Sequence, residues 1–131
     1  MVEPVSEAEN WLPLTPAVFA ILLALAGGER HGYGIIKEAE ALSHGQMRLG
    51  PGTLYRSIKQ MLSAGLIEEA SERPDPALDD ERRRYYRLTR LGQRVARAEA
   101  ERLEQLVSQA RARNLLGGIA PGQPEALGGA S

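Results

Sequence analysis

The chain has 131 residues, of which 43% are hydrophobic and 25% are charged, and its formal net charge is −1. This size and balance predict one soluble globular domain with a modest core. The absence of cysteine excludes disulfide bonds and thiolate metal sites. The longest apolar run, residues 17–26, is about half the ~20 residues that a membrane-spanning helix needs, and the acidic start of the chain is unlike a secretory signal. We therefore expect a cytoplasmic protein that does not contact membranes.

The small net charge conceals an uneven distribution of charge along the chain. Residues 1–47 carry six acidic side chains against two basic ones, and residues 68–81 carry seven against one. Residues 82–97, in contrast, contain seven arginines and no acid. Together with the basic residues of the segment 48–59, these arginines predict a basic patch on an otherwise acidic protein. Such a patch would orient the molecule toward a polyanion.

The first helix is predicted shortly after an N-terminal extension. Residues 1–11 show no helical period, and only Trp11 stands out among them. From Leu14 to Pro16 the chain supplies a hydrophobic staple residue, an N-cap and a first helical residue, in that order. The helix that follows is apolar around most of its circumference until Gly27 and Gly28 stop it. We therefore expect this helix to be largely buried.

A second helix is predicted to begin near Gly32 and to end before Gly45. Its apolar residues recur at three-residue intervals, at Tyr33, Ile36, Ala39 and Leu42. His31 and His44 make a poor metal site because neither a cysteine nor a cluster of carboxylates accompanies them. We expect His31 to cap or to pack against the helix. Residues 48–50 are a candidate edge strand for a hairpin later in the chain.

The helix around which the rest of the chain is organised is predicted over residues 51–64. Pro51 suits a first helical position, and Gly65 suits the left-handed residue that ends a helix. One face is apolar and contains Leu54, Ile58, Met61 and Leu62. The opposite face is polar, has no carboxylate, and contains Thr53, Tyr55, Arg56, Lys59 and Gln60. These side chains can donate to phosphates or base edges, although a solvated surface is the commoner explanation for one such helix alone.

The residues after this helix favour the nucleic-acid interpretation. A short strand over residues 66–70 is followed by a polar connection and by a second strand over residues 83–88. Helix, strand, loop and strand in this order are typical of a recognition helix followed by a wing. Because the connection is acidic, we expect any wing contact with DNA to come from the base of the second strand. The candidate residues there are Arg82, Arg83 and Arg84.

Five short motifs follow one another along the chain: Leu14-Thr15-Pro16, His31-Gly32-Tyr33, Pro51-Gly52-Thr53-Leu54-Tyr55, Gly65-Leu66-Ile67 and Tyr85-Tyr86-Arg87-Leu88-Thr89. Together they resemble the PadR family of bacterial transcriptional regulators, of the short type with a single C-terminal helix, over about residues 12–113. The resemblance implies a winged helix-turn-helix that binds operator DNA as a homodimer, usually as a repressor and often released by a small molecule. The sequence departs from the family at its acidic wing tip, at Gly50, where serine is common, and at Arg56, where proline is common.

The last predicted helix runs from a cap at Thr89 to about Leu116, a length of about 40 Å. A heptad-like seam follows it at Ala96, Ala100, Leu103, Leu106, Val107 and Ala110. Because so small a domain cannot cover so long a helix, the seam is predicted to be buried against a second copy of the chain. The alternative is a helix that lies along its own domain. Residues 117–131 are rich in glycine, alanine and proline and are predicted to be a disordered tail.

The predicted fold is mainly α with a small β-hairpin wing, divided into an N-terminal extension (1–11), a winged helix-turn-helix domain (12–89), a dimerisation helix (90–116) and a tail (117–131). We expect a homodimeric DNA-binding repressor that requires no cofactor. A small aromatic effector that stacks on Trp11 would relieve operator binding, although Trp11 packing on the dimer helix is the simpler role. No catalytic set is visible, so an enzyme is not expected. The alternative is a winged-helix adaptor that binds proteins instead of DNA, which apolar residues on the outward face of residues 53–60 would favour.

Overall fold

A computed structural model of the chain describes residue 8, residues 10–70 and residues 84–117. Its elements are α1 (Pro16–Ala26), β1 (Arg30–His31), α2 (Gly32–Leu42), α3 (Pro51–Ala64), β2 (Ile67–Glu69), β3 (Tyr85–Leu88) and α4 (Arg90–Ala112). The chain forms two compact units, Met1–Glu99 and Ala100–Ser131, so that α4 begins in the first unit and ends in the second. The predicted fold class, mainly helical with a small antiparallel sheet, is confirmed.

The first two helices begin at the caps that the sequence predicts. The Thr15 hydroxyl accepts a hydrogen bond from the Val18 backbone N–H at 3.2 Å, and Pro16 is the first residue of α1. The Nδ1 atom of His31 accepts a hydrogen bond from the Gly34 backbone N–H at 3.0 Å. His31 is therefore the N-cap of α2, in agreement with the capping role expected for it.

The burial of α1 is less complete than its composition suggests. Its buried side chains are Ile21, Leu22, Ala24 and Leu25. Leu23 lies between them in sequence but is 41% exposed, because it projects from the opposite side of the helix. Only one side of α1 therefore belongs to the core of the first unit.

The apolar stripe expected on α2 is confirmed in its middle, where Ala39 is buried and Ile36 packs against the core, and is wrong at its two ends. Ile35 is fully buried, whereas Tyr33 is 61% and Leu42 is 49% exposed. Tyr33 instead stacks on His31, with ring centroids 6.5 Å apart, and the Lys37 ammonium group lies 5.6 Å from its ring centroid. The aromatic ring is thus used in contacts at the surface, and residues near Ile35 face the core.

The third helix has the predicted bounds. Its buried residues are Leu54, Ser57, Ile58 and Met61. Gly65 ends the helix with φ of 80°, a left-handed conformation that glycine adopts without the penalty of a Cβ atom. At the other end Gly50 is the N-cap and supplies no side-chain hydrogen bond, as expected from the absence of serine there.

The three strands form an antiparallel sheet in the order β1-β3-β2. The expectation that residues 48–50 add an edge strand to the wing hairpin is wrong, because the strand added to the hairpin is β1, in which Arg30 pairs with Tyr86 of β3. Arg30 also donates from Nε to the Ala24 carbonyl oxygen at 2.8 Å. This bond ties the start of β1 to α1 and so places it alongside β3.

A close junction joins the end of α3 to the start of α4. The Thr89 hydroxyl donates to the Gly65 carbonyl oxygen at 2.5 Å, and it accepts the Gly92 backbone N–H at 3.0 Å. The Thr89 backbone N–H donates to the Leu66 carbonyl oxygen at 3.1 Å. The predicted cap at Thr89 is therefore confirmed. A Cβ atom at Gly92 would collide with the same Leu66 carbonyl oxygen, so that only glycine allows this approach.

In the second unit, α4 continues from Ala100 to Ala112. Leu106 is 54% and Val107 is 43% exposed there. Of the predicted tail, only Gly117 is among the described residues. None of the helices that the structure describes is long and apolar enough to cross a membrane.

Candidate nucleic-acid interface

The outward face of α3 presents the polar side chains that the sequence predicts to contact DNA. The exposed residues of this face are Thr53, Tyr55, Arg56, Lys59 and Gln60. Within the part of the chain that the structure describes, Arg56 and Lys59 form no ion pair. No carboxylate of the described segments compensates these two positive charges, which can attract a polyanion.

Tyr55 has a packing role that the sequence did not reveal. Its side chain is 39% exposed, and its hydroxyl lies against the first residue of α2, Gly32. A Cβ atom at position 32 would overlap the end of the Tyr55 side chain, so a larger residue there would push this ring away from α2. Tyr55 therefore connects α3 to α2, whereas its predicted contact with a phosphate stays a prediction.

The described arginine at the base of the wing is paired with an acid. The Nη1 atom of Arg84 lies 2.7 Å from Oε2 of Glu69, which belongs to β2. Both side chains are partly exposed, so the pair is screened by solvent. The other two predicted wing contacts, Arg82 and Arg83, lie outside the described residues, as does the acidic wing tip.

A second arginine of β3 is shared by two carboxylates. Arg87 donates from Nε to Oε2 of Glu68 at 2.9 Å, and its Nη1 lies 3.4 Å from Oε2 of Glu29. The hydrogen bond to Glu68 and the charge of that carboxylate raise the pKa of Arg87, and Glu29 adds to the effect. The positive charge of Arg87 is thus largely compensated within the first unit.

An open groove of about 600 Å³ separates α3 from the inner side of the wing strands. Its lining residues are Tyr55, Ile58, Lys59, Leu62, Glu69, Arg84 and Tyr86. Lys59 on the helix and Arg84 on the strand side are its two cationic side chains. Because Glu69 also lines the groove and pairs with Arg84, the surplus positive charge of this surface comes from Lys59 on the helix.

The sequence profile of the transcriptional regulator PadR-like family matches residues 21–98. The chain belongs to this family. The matched segment includes the whole of α3 and both wing strands, so the basic surface lies within the shared domain. The PadR-like chain is accordingly a DNA-binding transcriptional regulator. Because the family consists of regulators, the expectation that the protein is not an enzyme is confirmed. No curated protein sequence matches the chain significantly.

Several solved structures share the PadR-like fold. A transcriptional regulator from Clostridium thermocellum is 20% identical with a TM-score of 0.60 over 82% of this chain and 93% of its own. A PadR family regulator from Clostridium difficile is 23% identical with a TM-score of 0.61 over 75% of this chain and 97% of its own. BpsR from Bordetella bronchiseptica, whose DNA binding is regulated by 6-hydroxynicotinic acid, is 22% identical with a TM-score of 0.59 over 90% of this chain and 74% of its own. At these identities the similarity concerns the fold.

The predicted ligand contact and the candidate metal ligands belong to segments of the PadR-like chain other than α3. Trp11, the predicted ligand contact, is 39% exposed, and its backbone N–H donates to the Ala8 carbonyl oxygen at 3.2 Å. Among the residues that the structure describes, no cluster of three or more histidines and carboxylates could hold a metal ion.

Sequence reasoning missed the acidic partners of the wing arginines. Glu68 and Glu69 follow the apolar start of β2 directly, and antiparallel pairing with β3 places Glu68 opposite Arg87. If the pairing register of β2 and β3 had been known, the sequence alone would have revealed the pair of Glu68 with Arg87. The contact of Glu29 with Arg87 spans a sequence separation of 58 residues and has no local signal.

Proposed function

We propose that this PadR-like regulator is a homodimeric repressor that reads operator DNA with the outward face of α3. The observation that carries the proposal is the contrast on this helix between a buried apolar face and an exposed face whose Arg56 and Lys59 have no carboxylate partner among the described residues. An adaptor that binds proteins would need an apolar outward face, for which this helix provides only the partly exposed ring of Tyr55.

The position of each residue along α3 suggests a division of roles on DNA. The N-terminal turns of a recognition helix enter the major groove, so we assign the reading of a guanine edge to Arg56 and phosphate contacts to Thr53 or Tyr55. Lys59 and Gln60, a turn further on, are assigned to the backbone or to flanking bases. The wing-base residues Arg82, Arg83 and Arg84 are assigned a contribution of charge without sequence information.

The dimer is assigned to the helix α4, which we regard as the dimerisation helix. The seam residues are Ala96, Ala100, Leu103, Leu106, Val107 and Ala110. Leu106 and Val107 expose about half of their surface, and a second copy would remove this apolar area from water. Light scattering should show a dimer for the unmodified chain and a monomer for Leu103→Glu with Val107→Glu, because glutamates in the seam would be buried unpaired.

The effector is assigned to the class of small aromatic compounds. BpsR, which shares the fold, is regulated by such a compound, and the exposed part of Trp11 offers a ring on which an aromatic ligand could stack. Because Trp11 is the single tryptophan, a titration with planar aromatic compounds should quench its fluorescence saturably while operator binding is lost.

The experiment that tests the main proposal is a mobility-shift assay with the DNA upstream of the protein's own gene. A repressor should form a discrete complex that survives an excess of random DNA, with two half-sites in an inverted repeat about 10 base pairs, or a multiple of that turn, apart. If the chain binds specific and random DNA with equal affinity at every salt concentration, sequence reading by α3 is wrong.

A further inference from the structure

The chain divides its basic residues unevenly between arginine and lysine. Of its 16 basic residues only two are lysines, Lys37 on α2 and Lys59 on the outward face of α3. A guanidinium group keeps its charge, whereas a lysine amine that is acylated loses its charge. Among the predicted DNA contacts, Lys59 is therefore the one basic side chain whose positive charge an acyl group can remove.

The two lysines differ in their surroundings. The Lys37 ammonium group lies over the ring of Tyr33, 5.6 Å from its centroid, in a cation–π contact. Lys59 is exposed, and within residues 10–70 and 84–117 it forms neither an ion pair nor a cation–π contact. The amine of Lys59 is thus the more accessible of the two to a reagent in solution.

The groove beside α3 gives Lys59 both space and charge. Its volume of about 600 Å³ leaves room for an acyl group on the amine, and buried Ile58 and Tyr86 supply an apolar floor. Lys59, Arg84 and Glu69 are the charged residues of its lining, so the net charge of the lining is +1. An anionic acyl donor is attracted to this charge, and acylation of Lys59 would leave the lining neutral.

We propose that Lys59 is an acylation site, modified by acyl phosphates, at which the modification lowers the affinity of the regulator for DNA. The ammonium group first loses a proton to water. The lone pair of Nζ then attacks the acyl carbon, so that a C–N bond forms and the C–O bond to phosphate breaks. The phosphate leaves with the electron pair of that bond and takes up the second proton of the amine, and the product is a neutral amide.

The effect on DNA rests on the proposed function of α3, whereas the reaction at the amine does not. Acylation removes one of the two cations, Arg56 and Lys59, that have no carboxylate partner among the described residues. A lost phosphate contact weakens operator and random DNA alike, by about tenfold for one charge-assisted hydrogen bond. The dependence of log K on log salt should fall by about 1 per half-site.

The first experiment treats the full chain with acetyl phosphate in the absence of DNA. Peptide mapping by mass spectrometry should show Lys59 acetylated at least about threefold faster than Lys37, whose ammonium group the Tyr33 ring holds. Glu69→Gln removes the carboxylate of the groove and should raise the rate at Lys59 alone, less so at high salt. Equal rates at the two lysines, or no effect of Glu69→Gln, would overturn the site.

The second experiment compares DNA binding before and after the same treatment. The unmodified chain and the matched control Lys37→Arg should lose affinity about tenfold, whereas the affinity of Lys59→Arg, which keeps the charge without an amine that is acylated, should not change on treatment. An equal loss in Lys59→Arg would assign the effect to another amine and overturn the proposal. Operator and random DNA are measured side by side, so a failure to distinguish them contradicts sequence reading by α3 and leaves the acetylation result standing.

Discussion

The outward face of α3 and the wing base with strand β3 both carry basic side chains, but the two sets differ in whether carboxylates pair with them. On α3, Arg56 and Lys59 have no carboxylate partner in the described parts of the chain. On the wing, Glu69 pairs with Arg84, and two carboxylates share Arg87. The field that a polyanion experiences therefore depends on which arginines remain unpaired, and the count of arginines in a segment overestimates it.

The largest expected effect comes from the junction that holds the helix and the wing together. Gly92→Ala should lower the free energy of unfolding by about 3 kcal/mol, because the new Cβ atom must displace the Leu66 backbone. Gly52→Ala is the matched control, because a Cβ atom there meets nothing within 4 Å beyond its chain neighbours and the backbone of its own helix. Urea denaturation of both variants measures the difference, and equal destabilisation would mean that the close approach at Gly92 is not a constraint.

The unpaired cations of α3 should dominate sequence-specific binding. Arg56→Ala should weaken operator binding by about 1–3 kcal/mol and binding to random DNA much less, because it removes a base contact. Binding isotherms on both DNAs at several salt concentrations provide the measurement. If the loss is the same on the two DNAs, Arg56 contacts phosphate and the reader of the sequence lies elsewhere on the helix.

Release of a paired cation should sharpen the contrast between the two regions. Glu69→Gln removes the carboxylate from Arg84 and so adds one unit of net positive charge to the groove beside α3. Affinity for operator and for random DNA should rise together, and the dependence of log K on log salt should steepen by up to about 1 per half-site. Arg84→Ala is expected to weaken binding to both DNAs. If it instead raises the affinity for both, Arg84 has no role at the DNA.

The smallest effect is expected for Arg87. Arg87→Gln should change operator affinity by less than about twofold, because Glu68 and Glu29 already compensate this charge. Its raised pKa contributes stability that is fully present below the ordinary pKa of arginine and is lost only as the pH rises through the higher folded value. Because this pH range lies far above that of DNA-binding assays, the operator affinity of Arg87→Gln is measured at several salt concentrations instead. A large loss of affinity at any of them would show that Arg87 contacts DNA.

The elements with strong local signals were predictable from the sequence. Thr15, His31, Pro51 and Gly65 stand at helix ends because capping and left-handed geometry depend on the residue itself. The edge strand was not predictable, since the two residues of β1 have no periodicity and their pairing with β3 is set by tertiary contacts.

The residues of the candidate site were predictable from the sequence, whereas the ion pairs that compensate some of its charges were not. The polar face of α3 follows from helical periodicity, and the exposure of its residues agrees with the prediction. The Tyr55 hydroxyl contacts Gly32 and so connects α3 to α2, and neither segment alone contains a sequence pattern that predicts this contact. Ion pairs such as Arg84 with Glu69 join residues 15 positions apart and require a known strand register.

The contact between Thr89, Gly92 and the Leu66 carbonyl has a consequence for how regulators with this junction can diverge. It is built from backbone atoms, one hydroxyl and an absent side chain. Substitutions on the exposed sides of α3 or α4 leave these atoms untouched. A lineage could therefore change the bases that α3 recognises, or the exposed surface of α4, without altering the junction between α3 and the start of α4.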